Sequence, residues 1–144
     1  MDPARIRHLV RSAYAGKLSI DEAEAIVEIG QIAVDADGRE DPDEIATFFA
    51  FGKAIYELTG MSDLPTPTFM PVDEPDERMR ELAGTLTTDG PRALAYTLAY
   101  ALAAADAGIA PEEHAYITGL RAALHIPDAR ARALADAVLE QMGS

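Results

Sequence analysis

The sequence predicts an all-α fold: one compact domain of about seven helices, built as two pseudo-symmetric helical hairpins. Three observations carry this. Apolar residues recur at helical spacing in seven segments, separated by Gly, Pro and acidic turns. No segment shows the strict alternation or β-branched clustering of a strand. A short acidic stretch, Asp35 to Glu44, returns without a gap 69 residues later as Ala104 to Glu113.

Taken in order, Ile6, Leu9, Val10, Ala13 and Tyr14 define the inner face of a first helix, and Gly16 offers a positive-φ stop. Ser19 and Glu22 form a capping box, opening a helix with Ile26, Ile29 and Ala33 inward and an end at Asp35 or Ala36. Asp41-Pro42-Asp43-Glu44 then reads as an N-cap, a proline at the first helical position and acids in the first turn. The third helix should bury Ile45, Phe48, Phe49, Ile55 and Tyr56 and stop near Leu58 to Gly60.

Residues 59–75 are a Pro-rich internal connection within a single domain spanning 1–144. Pro65, Pro67, Pro71 and Pro75 oppose helix, while Leu64, Phe69, Met70 and Val72 suggest a segment laid across the helices. A fourth helix carries Met79, Leu82, Ala83 and Leu86. A fifth, from Pro91, carries Leu94, Leu98, Ala101, Leu102 and Ala105; its many alanines permit close approach and place it centrally. The sixth has Ile117, Leu120 and Leu124. The seventh presents Ala131, Leu134, Ala135, Val138, Leu139 and Met142. The 69-residue repeat also pairs Ile29 with Leu98, Phe48 with Ile117, Phe51 with Leu120 and Ile55 with Leu124.

The net charge of −13 is spread over both halves. It opposes binding to a nucleic-acid backbone or an anionic lipid surface and suits cations or a basic protein partner. Absence of cysteine removes thiolate catalysis, thiolate metal sites and disulfides together. No apolar run reaches membrane-spanning length, and Met1 to Arg11 is charged throughout, so a cytoplasmic protein is expected.

The chemistry lies in the two acidic corners. Asp37 and Glu44 are seven residues apart across a turn, and Asp106 and Glu113 repeat that spacing. If the hairpins pack, these four carboxylates could share a hard cation, Ca2+ or Mg2+, because every donor is oxygen. The same acids also serve as helix starts that complement the helix dipole, a reading that weighs more for Asp41 and Asp43. In the second copy the cap position is Ala110, a poor cap, so capping does not account for the whole pattern. An EF-hand fails on spacing: counted from Asp35, the sixth position is Glu40 where glycine is needed, and the twelfth is Ala46 where glutamate is needed.

His8, His114 and His125 make neither a Glu-x-x-His pair nor a His-Glu-x-x-His zinc helix. His114 lies beside Glu113 but suits a partly exposed structural role; His125 suits a helix end. No phosphate-binding glycine loop or Gly-x-Ser-x-Gly elbow is present. The chain is therefore expected not to be an enzyme. A hidden carboxylate active site is the minority alternative.

The corner motif resembles that of the TerB-like domain of tellurite-resistance proteins, also found in a DnaJ-type co-chaperone. The matching residues are Ala33 to Gly38 with Pro42 and Glu44, then Ala103 to Gly108 with Pro111 and Glu113, across roughly residues 20–140. Ala107 stands where the family prefers glycine, and the Pro-rich connection is longer than usual. The resemblance implies a helical stress-response module that holds metal through Asp37, Glu44, Asp106 and Glu113, with Asp35 and Asp41 as additions. The expected function is thus non-enzymatic cation binding within a stress-response or tellurite-resistance complex, with a protein partner or a homodimer in view. The alternative is an acidic helical adaptor that binds protein without metal.

Overall fold

In a computed structural model, residues 2–35, 42–61, 72–105 and 111–143 are described. Among them are seven helices and no strand: α1 Pro3–Ala13, α2 Ile20–Asp35, α3 Pro42–Glu57, α4 Pro75–Thr85, α5 Asp89–Ala104, α6 Pro111–Ala123 and α7 Asp128–Gly143. The expected all-α class holds, as does the central place of α5, which buries residues all round its circumference from Ala93 to Ala103.

Local chemistry sets the helix starts. Asp2 accepts a hydrogen bond from the Arg5 amide at 2.9 Å and Pro3 opens α1. Ser19 and Glu22 close the predicted capping box reciprocally, at 2.9 and 3.1 Å. Pro42, Pro75 and Pro111 each occupy the first position of a helix, where a missing N–H costs nothing. That is why α4 begins at Pro75, four residues before its first buried side chain, Met79; proline there starts the helix instead of opposing it. Likewise α5 starts at Asp89, ahead of Pro91.

The sequence repeat is a structural repeat. Shifted by 69 residues, Ile20–Asp35 becomes Asp89–Ala104, and Pro42 becomes Pro111. Every apolar pair the repeat aligned is buried: Ile29 and Leu98, Phe48 and Ile117, Phe51 and Leu120, Ile55 and Leu124. The first helices of the two halves match at a larger offset, 73, which takes Ile6, Leu9, Val10 and Ala13 onto Met79, Leu82, Ala83 and Leu86. The extra four residues lie in the α1–α2 connection, where Leu18 is buried and its amide bonds to the Leu58 carbonyl at 3.0 Å. Helix packing follows the same symmetry. The α1–α3 contact mirrors α4–α6, α2–α3 mirrors α5–α6, and α2–α4 mirrors α5–α1. α7 has no counterpart and packs on α5 and α1.

The two halves meet where α2 crosses α5, the most extensive helix pair. Gly30 permits this: a Cβ there would stand 2.6 Å from Leu98 Cδ2 and 3.3 Å from Leu102 Cδ1. Phe48 and Phe51 of α3 fill the adjoining core, each fully buried side chain contributing about 1.5–3 kcal/mol. Arg78 of α4 forms a two-point ion pair with Glu28 of α2, one arm at 2.9 Å, and its other side meets Glu81 at 3.2 Å. The hydrogen bond to Glu28 is the main reason its guanidinium holds its proton more tightly than usual.

Several expected details differ. Gly16 does not take a positive φ; α1 ends with Tyr14 in extended backbone, whose ring lies over Gly16 and Gly90. Among the described residues Gly60 is the glycine with positive φ, 75°, closing the turn after α3. Phe49 and Leu139 face solvent because their neighbours on α3 and α7 already fill the inner stripe. The expectation that the Pro-rich connection lies across the helices falls largely on 62–71, outside the described residues; Val72, at its end, packs against the core.

Two substitutions test the packing. Gly30→Ala gains helix propensity of about 1 kcal/mol but overpacks the α2–α5 crossing by about 1–3 kcal/mol, so denaturant titration should show a net loss. The Thr97 hydroxyl is buried and has no hydrogen-bond partner among the described residues. Thr97→Val keeps its shape and should raise stability by about 1 kcal/mol; a loss of that size would show that the hydroxyl is satisfied.

Candidate functional site

Glu44 and Glu113, paired by the repeat, are the two buried carboxylates among the described residues, at 2% and 3% exposure. Each is the third residue of a proline-led helix, α3 or α6. At that position a carboxylate lies among the free N–H groups of the first turn and the positive end of the helix dipole. Burial of an acid is affordable there and would be costly in mid-helix. The acids beside them, Asp43 and Glu112, point outward.

Gly30 meets Leu98 and Leu102 at the α2–α5 crossing, so α2 runs about 8 Å beyond the contact and α5 about 3 Å beyond Leu102 and about 9 Å beyond Leu98. The pairing of helix ends is crossed. The end of α2 lies against the start of α6, where Ile32 and Asp35 share a cleft with Glu112, Ala115 and Tyr116. The end of α5 lies against the start of α3, where Ala101 and Ala105 share a second cleft with Asp43, Ala46 and Thr47. The Tyr116 hydroxyl locks the first pairing by donating to the Ile29 carbonyl at 3.0 Å. Two helix C-termini, with their negative dipole ends, therefore lie beside the two helix starts that carry the buried glutamates.

Of the six predicted ligands, Glu44 and Glu113 are buried at these helix starts and Asp35 is exposed at the end of α2. Asp37, Asp41 and Asp106 lie outside the described residues. Among the described residues, no group of three or more His, Asp or Glu side chains is gathered closely enough to hold a metal by itself. His114 is exposed, and its carbonyl accepts the Thr118 hydroxyl at 2.9 Å. His125 closes α6 in the left-handed region, φ 56°, its amide bonded to the Ala122 carbonyl. No described helix is long and apolar enough to cross a membrane.

The sequence analysis did not single out Tyr116. The clue was available only in the repeat: Tyr116 stands where the first copy has Thr47, so one side is enlarged. Burial raises its phenol pKa well above the usual value, aided by the nearby carboxylates Asp76 and Glu28. Tyr56 and Tyr96 are raised for the same first reason.

Comparison with models of protein families, with characterised proteins and with solved structures finds no match.

The raised tyrosine pKa values have a definite sign. In the unfolded chain these phenols ionise near the ordinary tyrosine value of 10.0, whereas burial in the folded protein holds them neutral to higher pH. Their contribution is complete below pH 10 and is lost as pH rises above it. Tyr116→Phe should cost about 1 kcal/mol at neutral pH and flatten the alkaline loss. Denaturant titrations across the alkaline range, followed together with tyrosinate absorbance, check both parts.

Proposed function

We propose that this chain is a non-enzymatic module that binds a divalent cation, Ca2+ or Mg2+, at its paired acidic corners, in a stress-response role of the TerB-like, tellurite-resistance kind. The observation that carries the reading is the equivalent burial of Glu44 and Glu113 at two helix starts, each packed beside the end of the other copy's central helix. A glutamate at the third helical position suits a capping box in either copy; a shared cation gives it a second use, because hard ions draw oxygen donors from several chain segments at once. Asp37 and Asp106 supply the outer oxygens in this reading, with Asp35 and Asp41 beside them. The tellurite-resistance assignment rests on the corner motifs Ala33 to Gly38 and Ala103 to Gly108.

The test is a melting-temperature titration of chelator-treated protein with Ca2+, Mg2+, Mn2+ and Zn2+. At a free ion concentration of a hundred times Kd, stabilisation is about 2.7 kcal/mol, a rise of roughly 5–10 °C for a chain of this size. Glu44→Gln/Glu113→Gln keeps side-chain shape and removes the buried charge; Asp37→Asn/Asp106→Asn removes the outer pair. Both should abolish the rise. No rise in the parent protein at millimolar ion, or the same rise in both variants, would overturn the site.

A further inference from the structure

The two clefts are repeat equivalents, but they are not alike. The α3–α5 cleft is lined mostly by small residues, among them Ala46, Thr47 and Ala101, and Asp43 is the one carboxylate among its described residues. At the equivalent places the α6–α2 cleft has Ala115, Tyr116 and Ile32. Its lining side chains are thus larger and more apolar, joined by Val72 and Pro75. Three carboxylates, Asp35, Asp76 and Glu112, border it, and none of its described lining residues is basic. One acid comes from each of α2, α4 and α6, so three separate helices set negative charge around one apolar depression of about 390 Å3.

We infer that this α6–α2 cleft docks a basic segment of a partner protein, seating the aliphatic stem of an arginine or lysine on Val72, Pro75 and Ala115 above the buried Ile32 and Tyr116. Charge complementarity selects the occupant. Long basic side chains bury their methylene stems on apolar surface while keeping the cationic head at a polar rim. A rim of three carboxylates meets that head from three sides, and a planar guanidinium can engage two oxygens at once. The volume suits one or two such side chains and lies within the range of small recognition pockets. An acidic phosphate group or an anionic membrane would be repelled by the same rim and by the −13 charge behind it. Tyr116 is fixed for this role by its bond to the Ile29 carbonyl, so the floor is rigid before a partner arrives. Asp35 is shared with the cation reading, whereas Asp76 and Glu112 are not, and they separate the two proposals.

The experiment is an amide-resolved NMR titration of the full chain with a blocked peptide, acetyl-Ala-Leu-Arg-Ala-Leu-Arg-Ala-amide, in chelator at moderate salt. Shifts should concentrate on Ile32, Asp76, Ala115 and Tyr116. A peptide with citrulline in place of each arginine, equal in shape but uncharged, should not bind. Asp76→Asn/Glu112→Gln should weaken binding by about tenfold. Asp43→Asn, in the equivalent cleft, should change it by less than about twofold. Each alternative has its own signature. Shifts scattered over the surface, or equal losses in both clefts, would mean attraction to net charge alone. Free spermidine displacing the peptide at lower concentration would make the cleft a small-amine site. Shifts at these residues that grow with protein concentration alone would make the occupant a second copy of the chain. Any of the three, or no binding at millimolar peptide, overturns the inference.

Discussion

The crossing of α2 over α5 at Gly30 is the constraint on which the rest depends. With no side chain at that point, Leu98 and Leu102 can lie directly on the α2 backbone. The two central helices then touch at Gly30 of α2 and at Leu98 and Leu102 of α5. The helices that follow them, α3 and α6, each pack against the other copy's central helix.

Around this crossing, symmetry and its failure divide the labour. The symmetric parts are apolar: the inner stripes of α1 and α4, and the Phe48, Phe51 and Ile55 set against Ile117, Leu120 and Leu124. The buried glutamates belong to the symmetric set as well. The asymmetric parts are those that meet solvent or add helices. α7 covers α1 and α5 with no equivalent in the other half. The Arg78–Glu28 pair ties α4 to α2, where the other half has Arg5 reaching the Gln141 carbonyl of α7 at 2.9 Å. The cleft beside Tyr116 is asymmetric for a related reason: α7 contributes Met142 to the opposite cleft, while α4 contributes Asp76 here.

Much of the site was legible because a repeat is a form of internal comparison. Glu44 and Glu113 stood out by recurring at equal spacing, and both proved to be buried, which composition alone would never suggest for glutamate. Asp43 and Asp41 share the same stretch and the same chemistry, yet periodicity alone could not rank them; the helical turn faces Asp43 outward and Glu44 inward. The cleft was not legible. Ile32, Asp76 and Tyr116 lie on three helices, and no spacing within the chain announces that they meet. Phe49 and Leu139 were placed inward because an apolar stripe wider than one helix face looks the same in sequence whether or not a neighbour covers its edge.

The sequence by itself determined the helices, their starts and the existence of two related halves. These depend on local causes: caps within one turn, prolines at first positions, and apolar spacing at 3.6 residues. Only the tertiary structure decided where the halves cross, which carboxylates are withdrawn from water and which cleft acquires an acidic rim. Those outcomes depend on contacts between residues far apart in the chain, such as Gly30 with Leu98 and Tyr116 with Ile29. No local preference encodes such a contact; it exists only once the packed helices bring the two residues together.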